Sequence, residues 1–446
     1  MKHKIVILLL LFVSFVSAQE EKQTYSFSLE EAISYALQNN YKAINASRDI
    51  EAAKQKKWET TATGLPQING NVNYQNNIVL QKSVVPAEFF GGNPGEFAEV
   101  EFGTKHNMTA SASLTQLIFD GSYIVALQAS KTYLKYYQNY KVKTDNETRE
   151  MVTNYYGNVL LAKENIAILE KNKATLEKNV FEAEQTYKNG LIEEESVEQL
   201  QITLASVNSS LSNMNRLVDI STNMLKINLG LTIDDTLILT DNLDALATQK
   251  VDLAATSESF NVANNIDYQI AENFREQRRL EYKLQKAAYL PKLSASANFG
   301  YNAFSNEFTF FQQDQKWFNF SYVGVNLNVP IFGSFGKRAK SQQAKIAFEQ
   351  AETQLTEAEQ MLKLQYESAK SDYEFSIEQY ATSKSNLKLA ERIENKQQIK
   401  FREGLSTSFE FTEAQRQLYT AQQNYLQSMI DVINKKTALE KITNPQ

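Results

Sequence analysis

The chain has 446 residues, with 46 Lys and Arg against 52 Asp and Glu, for a formal net charge of −6. It has no cysteine and two histidines, His3 and His106. Those counts exclude disulfides, thiol catalysis, lipid attachment at a mature N-terminal Cys, and a metal site or proton relay built from His. The acidic balance gives no support to a nucleic-acid partner, and no cofactor or metal is expected.

The N-terminus reads first. Lys2, His3 and Lys4 precede an apolar run from Ile5 to Val16, and Val16-Ser17-Ala18 ends on a small residue. This is the pattern of a secretory signal peptide over 1–18, with the mature chain starting at Gln19. The apolar run is too short to serve comfortably as a membrane span. No later segment resembles a transmembrane helix, so a membrane crossing, if there is one, must be made by β-strands.

A first unit is expected over 19–230. It comprises a helix, a strand pair at 66–78 and 106–117, a long helix at 122–189 and a return helix at 194–229. A linker covers 231–256. A second unit, 257–446, repeats the order: helix 258–289, strand pair 292–302 and 317–330, long helix 337–402, return helix 409–442. The helices follow from missing breakers. No proline lies between Gly95 and Leu290 or between Ile331 and Asn444, and Gly157 and Gly190 are the only glycines from Ser122 to Leu229. Long stretches rich in Ala, Glu, Gln, Lys and Leu without Gly or Pro favour helix. Ala162, Leu169, Leu176 and Ala183 recur every seven residues, as do Tyr366, Tyr373 and Tyr380, a spacing that suits side-by-side helix packing.

The strands follow from alternation. Ile68, Val72 and Tyr74 alternate with Gln67, Asn69, Asn71 and Asn73; Met108, Ala110, Ala112 and Leu114 with polar neighbours; Leu293, Ala295, Ala297, Phe299 and Tyr301 with Ser and Asn; and Val323, Val325, Leu327 and Val329 with Gly324, Asn326 and Asn328. Their polar faces carry Asn, Ser, Thr and Gln rather than Lys and Glu, and each run is near the roughly ten residues that a tilted strand needs to cross a bilayer. The nearby aromatics, among them Phe89, Phe90, Phe308, Phe311, Trp317, Phe318, Phe320 and Tyr322, read as a membrane-interface girdle. His106, at a strand start, reads as a polar surface residue.

The duplication has landmarks. Leu65-Pro66 recurs as Leu290-Pro291, an offset of 225; Ile118-Phe119 as Ile331-Phe332, an offset of 213; and Tyr187-Lys188-Asn189-Gly190-Leu191 as Phe401-Arg402-Glu403-Gly404-Leu405, an offset of 214. The long helices match in length, and the first hairpin carries the excess residues. Four strands cannot close a barrel, and lipid does not tolerate open strand edges, so the chain should oligomerise. Two, three or four copies all satisfy that argument.

Together with Asn228-Leu229-Gly230-Leu231 and with Gly404 followed by Phe409-Glu410-Phe411 and Ala414-Gln415, this order resembles the TolC family of outer-membrane efflux ducts over nearly all of Ser26 to Thr443. The resemblance implies a mixed α/β membrane protein: a homotrimeric duct with a twelve-stranded transmembrane β-barrel, four strands per chain, continued by a long periplasmic α-helical barrel with an equatorial layer at 231–256. It implies a non-enzymatic outer-membrane channel of a Gram-negative bacterium, serving tripartite efflux or type I secretion. Substrate would arrive passively from an inner-membrane pump through a periplasmic adaptor. The turns at Gly190 and Gly404 would be the periplasmic tips, with Tyr187, Asn189, Leu191, Phe401, Glu403, Leu405 and Ser406 meeting the adaptor. Glu410 and Glu413 would narrow the entrance, although acids near a helix start also serve the helix dipole alone. The first repeat lacks the family's acidic spacing after Gly190. The alternative is a periplasmic coiled-coil structural or adhesion protein, against which the alternating strands argue.

Overall fold

The computed structural model describes residues 23–252 and 260–443. The signal peptide assigned to 1–18, the start at Gln19 and the last part of the linker lie outside the described residues. The chain divides into two compact units, one of Met1–Asp49, Gln138–Ile270 and Thr356–Gln446, the other of Ile50–Tyr137 and Ala271–Leu355.

In chain order the elements are β1 (Thr24–Phe27), α1 (Leu29–Asn39), α2 (Tyr41–Ala62), β2 (Gln67–Asn76), β3 (Lys82–Pro86), β4 (Phe97–Glu101), β5 (His106–Asp120), α3 (Gly121–Lys188), α4 (Glu194–Leu229), β6 (Thr236–Leu239), α5 (Leu243–Lys250), α6 (Ile266–Ala287), β7 (Lys292–Ser305), β8 (Trp317–Asn328), α7 (Gly336–Arg402) and α8 (Ser408–Thr443). At 68 and 67 residues, α3 and α7 each run for about 100 Å at the usual helical rise. No helix among the described residues is long and apolar enough to cross a membrane.

The second unit holds a four-stranded antiparallel sheet in the order β2-β5-β7-β8, with β2 and β8 as unpaired edges. Cross-strand partners share a face, so the register assigns each side chain. Ile68 and Leu114 pair, Leu114 pairs with Ala297, and Ala297 with Val323; this face is apolar. The other face carries Asn69, Ser113, Asn298 and their neighbours. The apolar face is open: Ile68 is 76% and Val323 83% exposed in the single chain. An exposed apolar face of this size marks a surface to be covered by lipid or by another protein. The segment between β2 and β5 folds back as the hairpin β3–β4.

The first unit is helical, and its core answers for two features that alternation and heptads did not reveal. A parallel pair, β1 with β6, joins the start of the described chain to the linker, with Thr24 opposite Thr236. Thus 231–252, the described part of the linker, holds a strand and a helix. The seven-residue tyrosine stripe, read above as a helix-packing seam, does pack α7 on α8, where Tyr380 stacks on Tyr425 at 5.7 Å, and it also docks this layer. Tyr373 donates its hydroxyl to the Lys250 carbonyl at 2.6 Å and accepts from the Asp252 N–H at 2.9 Å, while Tyr366 stacks on Phe260 at 4.6 Å. On α3, Tyr156 reaches the Phe27 carbonyl at 2.9 Å and Asp241 at 3.0 Å. Burial pushes the hydroxyls of Tyr156 and Tyr373 upward, so both remain protonated donors.

Asparagines close each repeat. Buried Asn40, at the start of α2, donates its side-chain amide to the Asn228 carbonyl at the end of α4, 2.7 Å away. Buried Asn265, at the start of α6, does the same to the Ile442 carbonyl at the end of α8, at 3.1 Å. Both cap the helix that follows. Oδ1 of Asn40 accepts from the N–H groups of Lys42 and Ala43, and that of Asn265 from Asp267 and Tyr268. The helix expected over 258–289 therefore starts at Ile266, because Asn265 takes the cap and Val262–Asn264 forms a separate 3-10 turn; residues 258 and 259 lie outside the described residues.

Candidate functional site

The two helix-ending turns are built alike. After α3, Gly190 has φ +74°, its N–H donates to the Tyr187 carbonyl at 2.7 Å, and the Leu191 N–H reaches back to Thr186 at 3.1 Å. After α7, Gly404 has φ +71°, with Gly404 N–H to Phe401 at 3.1 Å and Leu405 N–H to Lys400 at 2.8 Å. This crossed pair of bonds uses up the orphan carbonyls of the last turn and needs a left-handed residue, which glycine adopts without strain. Asn189 and Glu403 sit one residue earlier, exposed, at the helix caps. Leu191 is 75% and Leu405 72% exposed in the single chain, so each turn presents a leucine to its surroundings.

Phe401 differs from Leu405. It stacks on Phe411 at 5.3 Å, and Phe411 is fully buried against a cluster that includes Leu169, Leu176, Val197 and Leu200. Phe401 thus holds α7 to α8, and the exposed large apolar residues of the turns are Tyr187, Leu191, Leu405 and Phe409. Arg402 pairs with Glu182 of α3 at 3.2 Å, and Ser408 of α8 bonds Gln199 of α4 at 3.0 Å. Higher up, Asn165, Asn172 and Asn179, each buried on α3, meet Gln423, Gln422 and Gln398.

Glu410 and Glu413 occupy the first turns of α8. Thr407 caps that helix: its Oγ1 accepts from the Glu410 N–H at 3.2 Å, and Glu410 Oε2 accepts from the Thr407 N–H at 3.0 Å, a reciprocal capping box. Ser406 donates to the same Oε2 at 2.8 Å, and it is chiefly this bond, with the Thr407 N–H, that holds the Glu410 carboxyl below its ordinary range. Glu413 accepts both arms of the Arg416 guanidinium at 2.7 and 2.8 Å and the Gln417 amide at 3.1 Å. The Arg416 fork, then Gln417, lowers its pKa to about 2. Both groups are thus ionised near neutrality, but the charge of Glu413 is matched by a neighbour. On α4 the corresponding position, Glu193, makes no side-chain cap. Among the described residues no cluster of His, Asp or Glu could hold a metal.

A pH prediction follows. Both carboxylates have depressed folded pKa values, so their stabilisation is complete above the unfolded value of about 4.5 and is lost as pH falls through the folded values, about 2 for Glu413. The melting temperature, followed by circular dichroism, should drop on acidification across that window, and Glu413→Gln should remove part of the drop. A parallel pH profile for the variant contradicts the assigned ion pair.

Residues 261–444 match the family model described as outer membrane efflux protein. Curated protein sequences return no match. Among solved structures, the chain is similar to CusC, at 17% identity and a TM-score of 0.76, covering 95% of this chain and 94% of that one. It is similar to VceC of Vibrio cholerae, at 16% identity, TM-score 0.71, and 93% and 95% coverage. The MtrE outer membrane channel of Neisseria gonorrhoeae, in its open state, matches at 15% identity, TM-score 0.72, and 93% and 88% coverage. The sequence match falls on the second repeat, and the shared fold takes in both repeats. Over residues 261–444 the chain is thus similar in sequence to the outer membrane efflux protein family, and over nearly its whole length it shares the fold of the solved channels.

Proposed function

We propose that the chain is the outer-membrane duct of a tripartite efflux or type I secretion system in a Gram-negative bacterium, working as a homotrimer. The observation that carries this reading is the four-stranded sheet with one open apolar face, one Asn/Ser face and two unpaired edges. Along the sheet the strands alternate in direction, so β8 of one copy can pair antiparallel with β2 of the next. Three copies then make a twelve-stranded ring with lipid outside, water inside and no free edge. The duct itself does no energetic work; an inner-membrane pump supplies it through a periplasmic adaptor.

In this reading the adaptor meets the turns through Tyr187, Asn189, Gly190, Leu191, Glu403, Gly404, Leu405 and Ser406, with Phe401 behind them as the packing residue. Glu410 and Glu413 form the acidic entrance. Since Arg416 offsets Glu413, the cation preference falls mainly to Glu410. Two measurements test the scheme. Cysteines at Asn189 and Glu403 should crosslink to the adaptor and stay unlabelled by impermeant reagents outside intact cells; labelling from outside reverses the topology. In planar bilayers Glu410→Gln should weaken cation preference and trivalent-cation block from the periplasmic side more than Glu413→Gln does. Unchanged conduction and block in both variants reduce the pair to helix-start chemistry.

A further inference from the structure

The Asn/Ser face of the sheet carries aromatic rings that a membrane girdle does not explain. Phe318, Phe320 and Tyr322 pair with Asn302, Gly300 and Asn298, and Phe304 pairs with Asn107, so all four lie on the polar side, opposite Val323 and Val325. Phe320 has a structural duty. A Cβ on Gly300 would lie 2.7 Å from its ring, so the ring lies over the glycine and covers its backbone. The other three rings remain open, with Phe318 56% and Tyr322 57% exposed, and Phe304 stands 6.2 Å from Phe318.

We propose that Phe304, Phe318 and Tyr322 form an aromatic collar on the water-filled side of the ring, where they contact the transported solute and favour aromatic organic cations. This rests on the trimeric duct proposed above, in which each copy adds three rings to the lumen wall, Phe304 and Phe318 side by side and Tyr322 four residues farther along β8. The surrounding chemistry selects the class. Between Ser294 and Phe304 on β7, and over the facing positions of β2, β5 and β8, this face holds amides, hydroxyls and rings and no charged side chain. An anion finds no counter-charge there, and an inorganic cation gives up more hydration than neutral amides return. Aromatic faces attract organic cations through their quadrupole and stack on flat solutes with little regard to identity. Several weak contacts along a wet wall also let a solute leave, as conduction requires.

The probes are tetraphenylphosphonium and its anionic counterpart of the same shape, tetraphenylborate, dialysed to equilibrium against the protein in lipid nanodiscs with empty nanodiscs subtracted. The parent should bind the phosphonium saturably and in preference to the borate. Phe318→Ser with Tyr322→Ser should weaken phosphonium binding about tenfold, and Val323→Ser, on the opposite face, should leave it unchanged. Phe318→Leu with Tyr322→Leu keeps apolar bulk on the edge strand, so it guards against a folding defect; it should abolish the cation-over-anion preference. Parent-like binding in both double variants, or an equal loss in Val323→Ser, overturns the collar. The duct reading is tested separately in the same nanodiscs by an impermeant maleimide, which should label Gly324→Cys and spare Val323→Cys. The reverse pattern overturns the wet face itself, whereas the expected labelling with unaltered phosphonium binding overturns only the collar.

Discussion

Gly230→Ala should be the most damaging single-methyl change in the helical unit. Gly230 ends α4 with φ +85°, and a Cβ there would lie 2.1 Å from the Asn39 carbonyl oxygen and 2.7 Å from its carbon. Those are backbone atoms of the α1–α2 junction, so no side chain can rotate away. The left-handed conformation alone costs a non-glycine residue about 1–2 kcal/mol, and forcing the junction apart adds about 1–3 kcal/mol of overpacking. Gly190 separates the two effects. Its φ is +74°, but a Cβ there meets nothing within 4 Å. Gly190→Ala should therefore cost only the conformational part, about 1–2 kcal/mol. Thermal unfolding of both variants in one detergent checks this; equal destabilisation contradicts the close packing of the junction.

Removing the asparagine clamps should cost nearly as much, and equally in the two repeats. Asn40→Ala deletes the bond to the Asn228 carbonyl and the cap on two N–H groups, and it leaves buried polar backbone without partners. Asn265→Ala deletes the same set against Ile442, Asp267 and Tyr268. A lost cap costs about 1 kcal/mol and an unsatisfied buried carbonyl about 1–3 kcal/mol, which gives roughly 2–4 kcal/mol for each substitution. The clamps share no partner, so the double variant should show the sum. A marked difference between the single variants would mean that the duplication is one of sequence order and not of stabilising contacts.

The clamps were within reach of the sequence. Asn40 and Asn265 are separated by the same 225 residues as Leu65 and Leu290, and Asn228 and Ile442 by the same 214 as Gly190 and Gly404. What hid them was that Asn before a helix is ordinary, and that its second bond spans 188 residues in one case and 177 in the other. The long helices and the four membrane-length strands were legible for a simple reason: breakers and two-residue alternation are local properties. The β1–β6 pair was not, since four-residue strands carry too little period and their partners lie far apart in the chain. In the tyrosine stripe, the spacing was visible but its second partner was a linker with no pattern of its own. On β8 the limit was different. Trp317 and Val323 alternate with Phe318, Phe320 and Tyr322, so both faces look apolar, and only the register with β7 separates the Val323 side from the Asn side. At Glu410 the sequence placed an acid on the first turn but could not show that Thr407 and Ser406 already hold it.

The central claim is that the free edges β2 and β8 are completed by neighbouring copies in a ring of three. Native mass spectrometry of the protein extracted from outer membranes in mild detergent measures this directly. The account predicts one species with the mass of three chains. Proline on the edge strand, Val72→Pro, should release monomers, because proline disrupts the strand edge that would pair with the next copy. A folded, monodisperse monomer in the parent protein would contradict the ring, and with it the duct.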